Sequence, residues 1–215
     1  MKIIENILNL IYPPVCGFCE KICNEHLCKK CELKIKKHEI VSIRKSNNMH
    51  FEEILCIFKY EDIIRNTIIK YKFQSKAYLY KTFSKIIVKN KKTYSFLKNY
   101  DIIIPVPISK KRNKQRGYNQ SYLIANEIAK TFNLKCENKC LVKQKDTIEQ
   151  SKLDKEQRKI NVKDAYRVIN KEKLINKNIV LLDDIYTTGN TVKECAKTLK
   201  QAGAKKIGIL TIAKD

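Results

Sequence analysis

Two adjacent acids, Asp183 and Asp184, close an apolar run, Ile179 to Leu182, and lead within two residues into Thr187-Thr188-Gly189-Asn190-Thr191. Neighbouring carboxylates suit the hydroxyls of a polyol, or a metal ion. Free backbone N–H groups and hydroxyls at a helix start suit a phosphate monoester. A sugar phosphate would satisfy both halves. Singly, an Asp-Asp pair is often a solvated turn and a Thr-Thr-Gly segment an ordinary loop. The order of apolar run, acid pair and hydroxyl-rich glycine loop is what carries information.

A second constellation is Cys16-x2-Cys19-x8-Cys28-x2-Cys31. Each Cys-x2-Cys pair can supply two thiolates to one tetrahedral zinc ion. Cys23 and His26 lie in the same segment and are alternative ligands. Disulfides are the competing reading, disfavoured in a nine-cysteine chain expected to be cytoplasmic. Four ligands leave no open position, so the ion would be structural and would supply folding energy. Cys56, Cys136, Cys140 and Cys195 read as small apolar residues.

The elements that position these groups follow from pattern. A continuous run such as Ile179–Leu182 is expected of a strand covered on both faces. Gly189 permits a tight turn. The helix after it, about residues 191–202, carries Val192, Cys195, Ala196 and Leu199 at helical spacing, and Gly203 is its stop. Further strands are expected near residues 52–60, 101–105, 134–142, 165–169 and 206–213. Helices are expected near 62–71, with Asp62 as N-cap, and near 76–89 and 118–132. Residues 41–50 read as a polar linker, and 143–161 as a long loop of the kind that forms lids. Met1 to Ile11 reads as an amphipathic helix ended by Pro13-Pro14. Alternating strands and helices imply an α/β fold, a mostly parallel sheet flanked by helices. The expected division is a zinc-ribbon-like module over residues 1–45 and a larger domain over 46–215.

No apolar run is long enough for a membrane span, and no signal peptide is evident, so a cytoplasmic location is expected. The net charge of +23 suits a polyanionic partner. With 39 lysines against 6 arginines, genomic base composition alone could produce it. Three of the six arginines, Arg112, Arg116 and Arg158, stand in segments assigned to the site, where a planar bidentate donor suits phosphate.

The acid pair and its loop resemble the motif that binds phosphoribosyl pyrophosphate in type I phosphoribosyltransferases. That resemblance implies that Asp183 and Asp184 hold the ribose hydroxyls. It implies that Thr187, Thr188, Gly189, Asn190 and Thr191 hold the 5′-phosphate. Three further features join it: Ile103-Ile-Pro-Val-Pro-Ile108 leading to Arg116-Gly-Tyr-Asn-Gln120; Gln150, Arg158 and Asn161 in the long loop; and Tyr12-Pro-Pro-Val-Cys16-Gly-Phe-Cys19. Together, nearly end to end, they resemble the ComF family of bacterial competence proteins, also called ComFC or GntX-like. Lys143 and Tyr118 depart from residues the family often has there. The resemblance implies a zinc module on a type I phosphoribosyltransferase-like domain. It further implies a link to DNA uptake in natural transformation, with single-stranded DNA and other DNA-uptake proteins as partners.

Transfer chemistry sets demands that the chain can meet. Breaking the bond from ribose C1 to pyrophosphate develops positive charge on the sugar and negative charge on the leaving group. Mg²⁺ would bridge the ligand's own oxygens. Residues 106–117 are assigned as the diphosphate-side loop, with Arg112, Arg116 and Gly117 as binding residues. Gln150 and Arg158 would reach in from the lid. Tyr118 either stacks on a base or packs at the helix start. The competing reading is a DNA-handling or sensing protein that keeps the fold without catalysis. The hydroxyl-rich loop argues for a ligand phosphate over phosphorylation of Asp183.

Overall fold

The computed structural model describes residues 12–145 and 162–215. Its frame is a six-stranded sheet in the order β1-β2-β8-β7-β3-β4. These are β1 (Glu39–Lys45), β2 (Glu53–Lys59), β3 (Ile102–Pro105), β4 (Lys135–Cys136), β7 (Asn178–Tyr186) and β8 (Lys206–Lys214). Only β1 runs antiparallel to its neighbour. A separate antiparallel ribbon joins β5 (Leu141–Lys143) to β6 (Tyr166–Val168).

Both faces of the sheet are covered, which is why its central strands are apolar throughout. Successive side chains on a strand point to opposite faces. Val180 and Leu182 of β7 join a core with Ile64 and Ile68 of α2 (Asp62–Phe73), Phe83 of α3 (Leu79–Lys89), and Ile124 and Ile128 of α6 (Gln120–Phe132). Ile179 and Leu181 join a second core with Val192, Cys195, Ala196 and Leu199 of α7 (Asn190–Gln201). Two short helices, α4 (Lys91–Leu97) and α5 (Lys110–Arg116), and the N-terminal α1 (Lys29–Lys36) complete the described set.

The connections define where a ligand can enter. From β3 the chain crosses through α5 and α6 to β4 on one side; from β7 it crosses through α7 to β8 on the other. The strand order therefore diverges between β3 and β7, and their carboxyl ends open a crevice.

Several expectations are corrected. Residues 41–50 are not simply a linker: the chain is strand through Lys45, paired with β2. Its solvent-facing, charged composition suits a sheet edge, where pairing rather than burial defines the strand. The single strand expected over 134–142 is two, β4 in the main sheet and β5 in the ribbon. Glu61, not Asp62, occupies the N-cap position of α2, and its carboxylate meets His38 Nδ1 at 3.1 Å instead of capping. Helix α4 was not anticipated; the Asn90 side chain caps it by accepting from Lys92 N. Residues 106–117 are not all loop, since Ser109 caps α5 by accepting from Arg112 N. The amphipathic helix expected over 1–11, and residues 146–161 of the long loop, lie outside the described residues.

The cysteine-rich segment joins the larger core. Cys16, Phe18, Leu27, Cys31 and Ile35 share the core of Phe83, and the rings of Phe18 and Phe83 meet edge to face at 6.4 Å.

Candidate functional site

Strand β7 runs through the acid pair rather than ending before it, so Asp183 and Asp184 lie at successive strand positions at the mouth of the crevice. A cleft of about 480 Å³ opens over them. Asp183, Asp184, Thr187, Gly189, Asn190 and Thr191 line it from β7 and the start of α7, and Arg112 and Arg116 line it from α5. These predicted residues therefore come together, although the two segments are far apart in sequence.

Strand alternation separates the two acids. Asp184 follows Val180 and Leu182 toward α2 and α6. There Lys72 Nζ lies 2.8 Å from its Oδ1, and Gln120 Nε2 donates to its Oδ2 at 2.8 Å. Asp183 follows Ile179 and Leu181 toward α7, and its Oδ1 accepts from Asp184 N at 2.9 Å. Burial pushes the Asp183 carboxyl up, and the neighbouring Asp184 pushes it further, to about 7; Lys72 and Lys143 pull it down by less. Tyr166 lies deep in the same wall, and burial holds its phenol far above the usual range.

The loop after the acids turns on Gly189, whose φ of 74° lies in the left-handed region. Helix α7 begins at Asn190, so its first amides face the cleft mouth, where the helix dipole favours an anion. Thr188 does not line the cleft; its Oγ1 accepts from Asn190 N at 3.5 Å and shapes the turn. Gly117 is also not a lining residue and serves instead as the left-handed C-cap of α5. Gln150 and Arg158, expected to reach in from the lid, lie outside the described residues.

Arg116 is held before any ligand arrives. Its guanidinium lies 5.5 Å from the Phe73 ring centroid and hydrogen-bonds Gln120 Oε1. Gln120 is itself fixed at its backbone, where its carbonyl accepts from Tyr71 Oη at 2.9 Å. Tyr118 packs at the helix start, stacked on Tyr71 with centroids 5.6 Å apart. Sequence reasoning missed Lys72 as a site residue. One lysine among 39 gives no signal, and only the packing of α2 beside β7 reveals it. Gln120 stood in a quoted motif without a role, and Tyr166 and Lys143 were not assigned to the cleft they line.

The second site is the cysteine cluster. The Sγ atoms of Cys16, Cys19, Cys28 and Cys31 all lie within 4.8 Å of one another. Cys19 and Cys28 are 3.8 Å apart, which matches the edge of about 3.8 Å of a tetrahedron with metal–sulfur bonds of about 2.3 Å. Backbone amides point at the sulfurs: Cys28 N donates to Cys16 Sγ and Cys31 N to Cys28 Sγ, both at 3.5 Å. Burial raises the Cys16 thiol, but the amides of Cys28, Cys19 and Phe18 bring it down to about 7. Cys23 and His26 stand outside this four-sulfur group, which can hold a metal ion. Cys56, Cys140 and Cys195 are buried among apolar residues.

Comparison with known proteins bears on the same residues. The phosphoribosyl transferase domain family matches residues 119–215, the stretch from α6 through the acid pair to the C-terminal strand. Competence protein F of Haemophilus influenzae is 27% identical over 76% of this chain and 73% of its own length. Competence protein ComFC of Bacillus subtilis is 25% identical over 88% of this chain and 72% of its own. Among solved structures, the glutamine phosphoribosylpyrophosphate amidotransferase of B. subtilis is similar, with a TM-score of 0.45 and 15% identity. That match covers 66% of this chain and spans 30% of that enzyme. No helix among the described residues is long and apolar enough to cross a membrane.

Proposed function

We propose, from the match to the phosphoribosyl transferase domain and the similarity to competence proteins, that this chain is a ComF-family protein whose cleft binds phosphoribosyl pyrophosphate. The observation that carries the reading is the meeting, at one crevice, of the acid pair, the Gly189 turn at the start of α7, and the arginines of α5. The 5′-phosphate takes the turn at the start of α7, with Thr187, Gly189, Asn190 and Thr191 around it and Thr188 shaping the turn. The ribose hydroxyls face the acid pair. The diphosphate faces Arg112 and Arg116.

A phosphoribosyltransfer is the reaction such a ligand supports. The C1–pyrophosphate bond breaks, its electron pair leaves with pyrophosphate, and an acceptor nucleophile bonds to C1. Fixed cations near the leaving group stabilise the charge that develops there. Magnesium would neutralise the diphosphate. Asp184 is engaged by Lys72 and Gln120, so the ligand's own oxygens would supply most of what holds such an ion. The four cysteines take a structural zinc ion, and the segment that carries them braces the sheet domain through Phe18 and Phe83.

Calorimetry with phosphoribosyl pyrophosphate and Mg²⁺ tests the reading. Binding by the wild type that Asp183→Asn removes is the expected result; a wild type that binds nothing refutes it. A screen of bases and amines for pyrophosphate release then tests turnover.

A second reading is favoured by the charge of +23 and by the competence proteins among the relatives: the chain handles single-stranded DNA during DNA uptake. It expects single-strand binding that weakens steeply with salt. Negligible binding at low salt counts against it.

A further inference from the structure

The two carboxylates of the pair sit in different surroundings, and the difference follows from strand geometry. Adjacent residues on β7 must face opposite sides of the sheet. Asp184 falls on the side of α2 and α6, where Lys72 and Gln120 take one oxygen each at 2.8 Å. The side chain of Asp184 is nearly sealed, at 5% exposure, and Lys72 is mostly covered, at 19%. Gln120 is braced in turn by Arg116 and by the buried Tyr71 hydroxyl. Asp183 falls on the side of α7, the helix whose N-terminus forms the hydroxyl-rich turn, and there it receives a backbone amide. A sugar phosphate seated at the start of α7 therefore meets Asp183 first.

Resting on the reading of the cleft given above, we propose that the acids divide their labour. Asp183 accepts the ligand's hydroxyls, Asp184 is a fixed anchor, and Lys72 is the positioning residue that, with Gln120, reserves it. Lys72 acts through Asp184. It replaces a second cation at the acid pair and keeps the end of β7 aligned with α2. The buried Asp184 carboxylate needs that partner, because an unpaired charge at this depth is costly.

The test has a ligand arm and a ligand-free arm, both on the full chain. In calorimetry with phosphoribosyl pyrophosphate and Mg²⁺, Asp183→Asn weakens binding by about a hundredfold, as for lost hydrogen bonds to a charged group. Asp184→Asn and Lys72→Met each weaken it by about tenfold or less, combining them adds nothing, and Lys72→Arg restores most of the affinity. An Asp184→Asn loss equal to that of Asp183→Asn overturns the division. A Lys72→Met loss that adds to that of Asp184→Asn shows that Lys72 touches the ligand itself. In thermal denaturation without ligand, Lys72→Met lowers the midpoint when Asp184 is present and leaves it unchanged in Asp184→Asn. Equal shifts in both backgrounds overturn the positioning role. A wild type that binds no ligand refutes the reading of the cleft and the role of Asp183 together. The ligand-free cycle then judges Lys72 alone.

Discussion

Gly17 rests directly against Thr82: a methyl group on Gly17 would collide with the Thr82 hydroxyl and come within 2.9 Å of Thr82 Cβ and 2.8 Å of Leu79 Cδ2. Between Cys16 and Cys19, the chain thus uses a missing side chain to seat its cysteine knuckle on α3. The Thr82 hydroxyl fixes the contact by donating to the His26 carbonyl at 2.9 Å. Glu20 adds ion pairs to Lys70 at 2.9 Å and Lys76 at 2.6 Å, which tie the knuckle to the end of α2.

Gly17→Ala should therefore destabilise the whole fold, not only the knuckle. Overpacking of this kind costs about 1–3 kcal/mol, or a few degrees in melting temperature. The residue packs against helix atoms of the main core, so the loss should appear in the global transition. Adding Thr82→Ala should recover part of it by relieving the nearest collision. Additive losses in thermal denaturation would show that the knuckle does not press on α3.

Metal removal should act in the same direction and further. Structural zinc sites contribute on the order of 10 kcal/mol to folding, and this cluster shares a core with Phe83 and Tyr71. A chelator is expected to lower the melting temperature of the wild type markedly and to leave Cys19→Ser, already impaired in binding, less affected. Elemental analysis showing no bound metal in protein that melts normally would refute this.

What the sequence disclosed follows from how local each signal is. The run Ile179–Leu182, the acids and Gly189 are contiguous, so their strand, turn and helix could be read together. The cysteine pairs have spacing that few other purposes explain. Strand β1 was missed because an edge strand needs one partner and little burial. The tie between Gln120 and Asp184 spans 64 residues, and Lys72 reaches Asp184 only because α2 packs on the face to which even-numbered β7 residues point. Such contacts belong to the tertiary fold and leave no local trace.

Gly189→Ala should separate binding from stability. At φ 74° an alanine costs about 1–2 kcal/mol, which a domain of this size can survive. The new methyl would also collide with the Tyr186 ring and push the turn out of line with the first amides of α7. Affinity for phosphoribosyl pyrophosphate should fall far more than the melting temperature. Unaltered affinity would remove the turn from the ligand site.

The acid pair should leave a signature in pH. Burial and Asp184 raise Asp183 from 3.8 to about 7, while Lys72, Lys143 and the Asp184 amide oppose them. A carboxyl raised on folding binds more protons in the native state than in the unfolded one. Its contribution to stability is present at low pH and is lost as pH rises through about 7. The melting temperature of Asp183→Asn relative to wild type should therefore climb from about pH 4 to about pH 7 and level off above it, because the amide escapes the cost of a buried charge. Parallel curves for the two proteins would refute the raised carboxyl. Ligand hydroxyls donate to the ionised form and favour it. Binding near neutral pH should then expel a proton, seen as a dependence of the calorimetric heat on the ionisation enthalpy of the buffer. That dependence should vanish in Asp183→Asn and persist in Lys72→Arg, which keeps the opposing cation beside the pair.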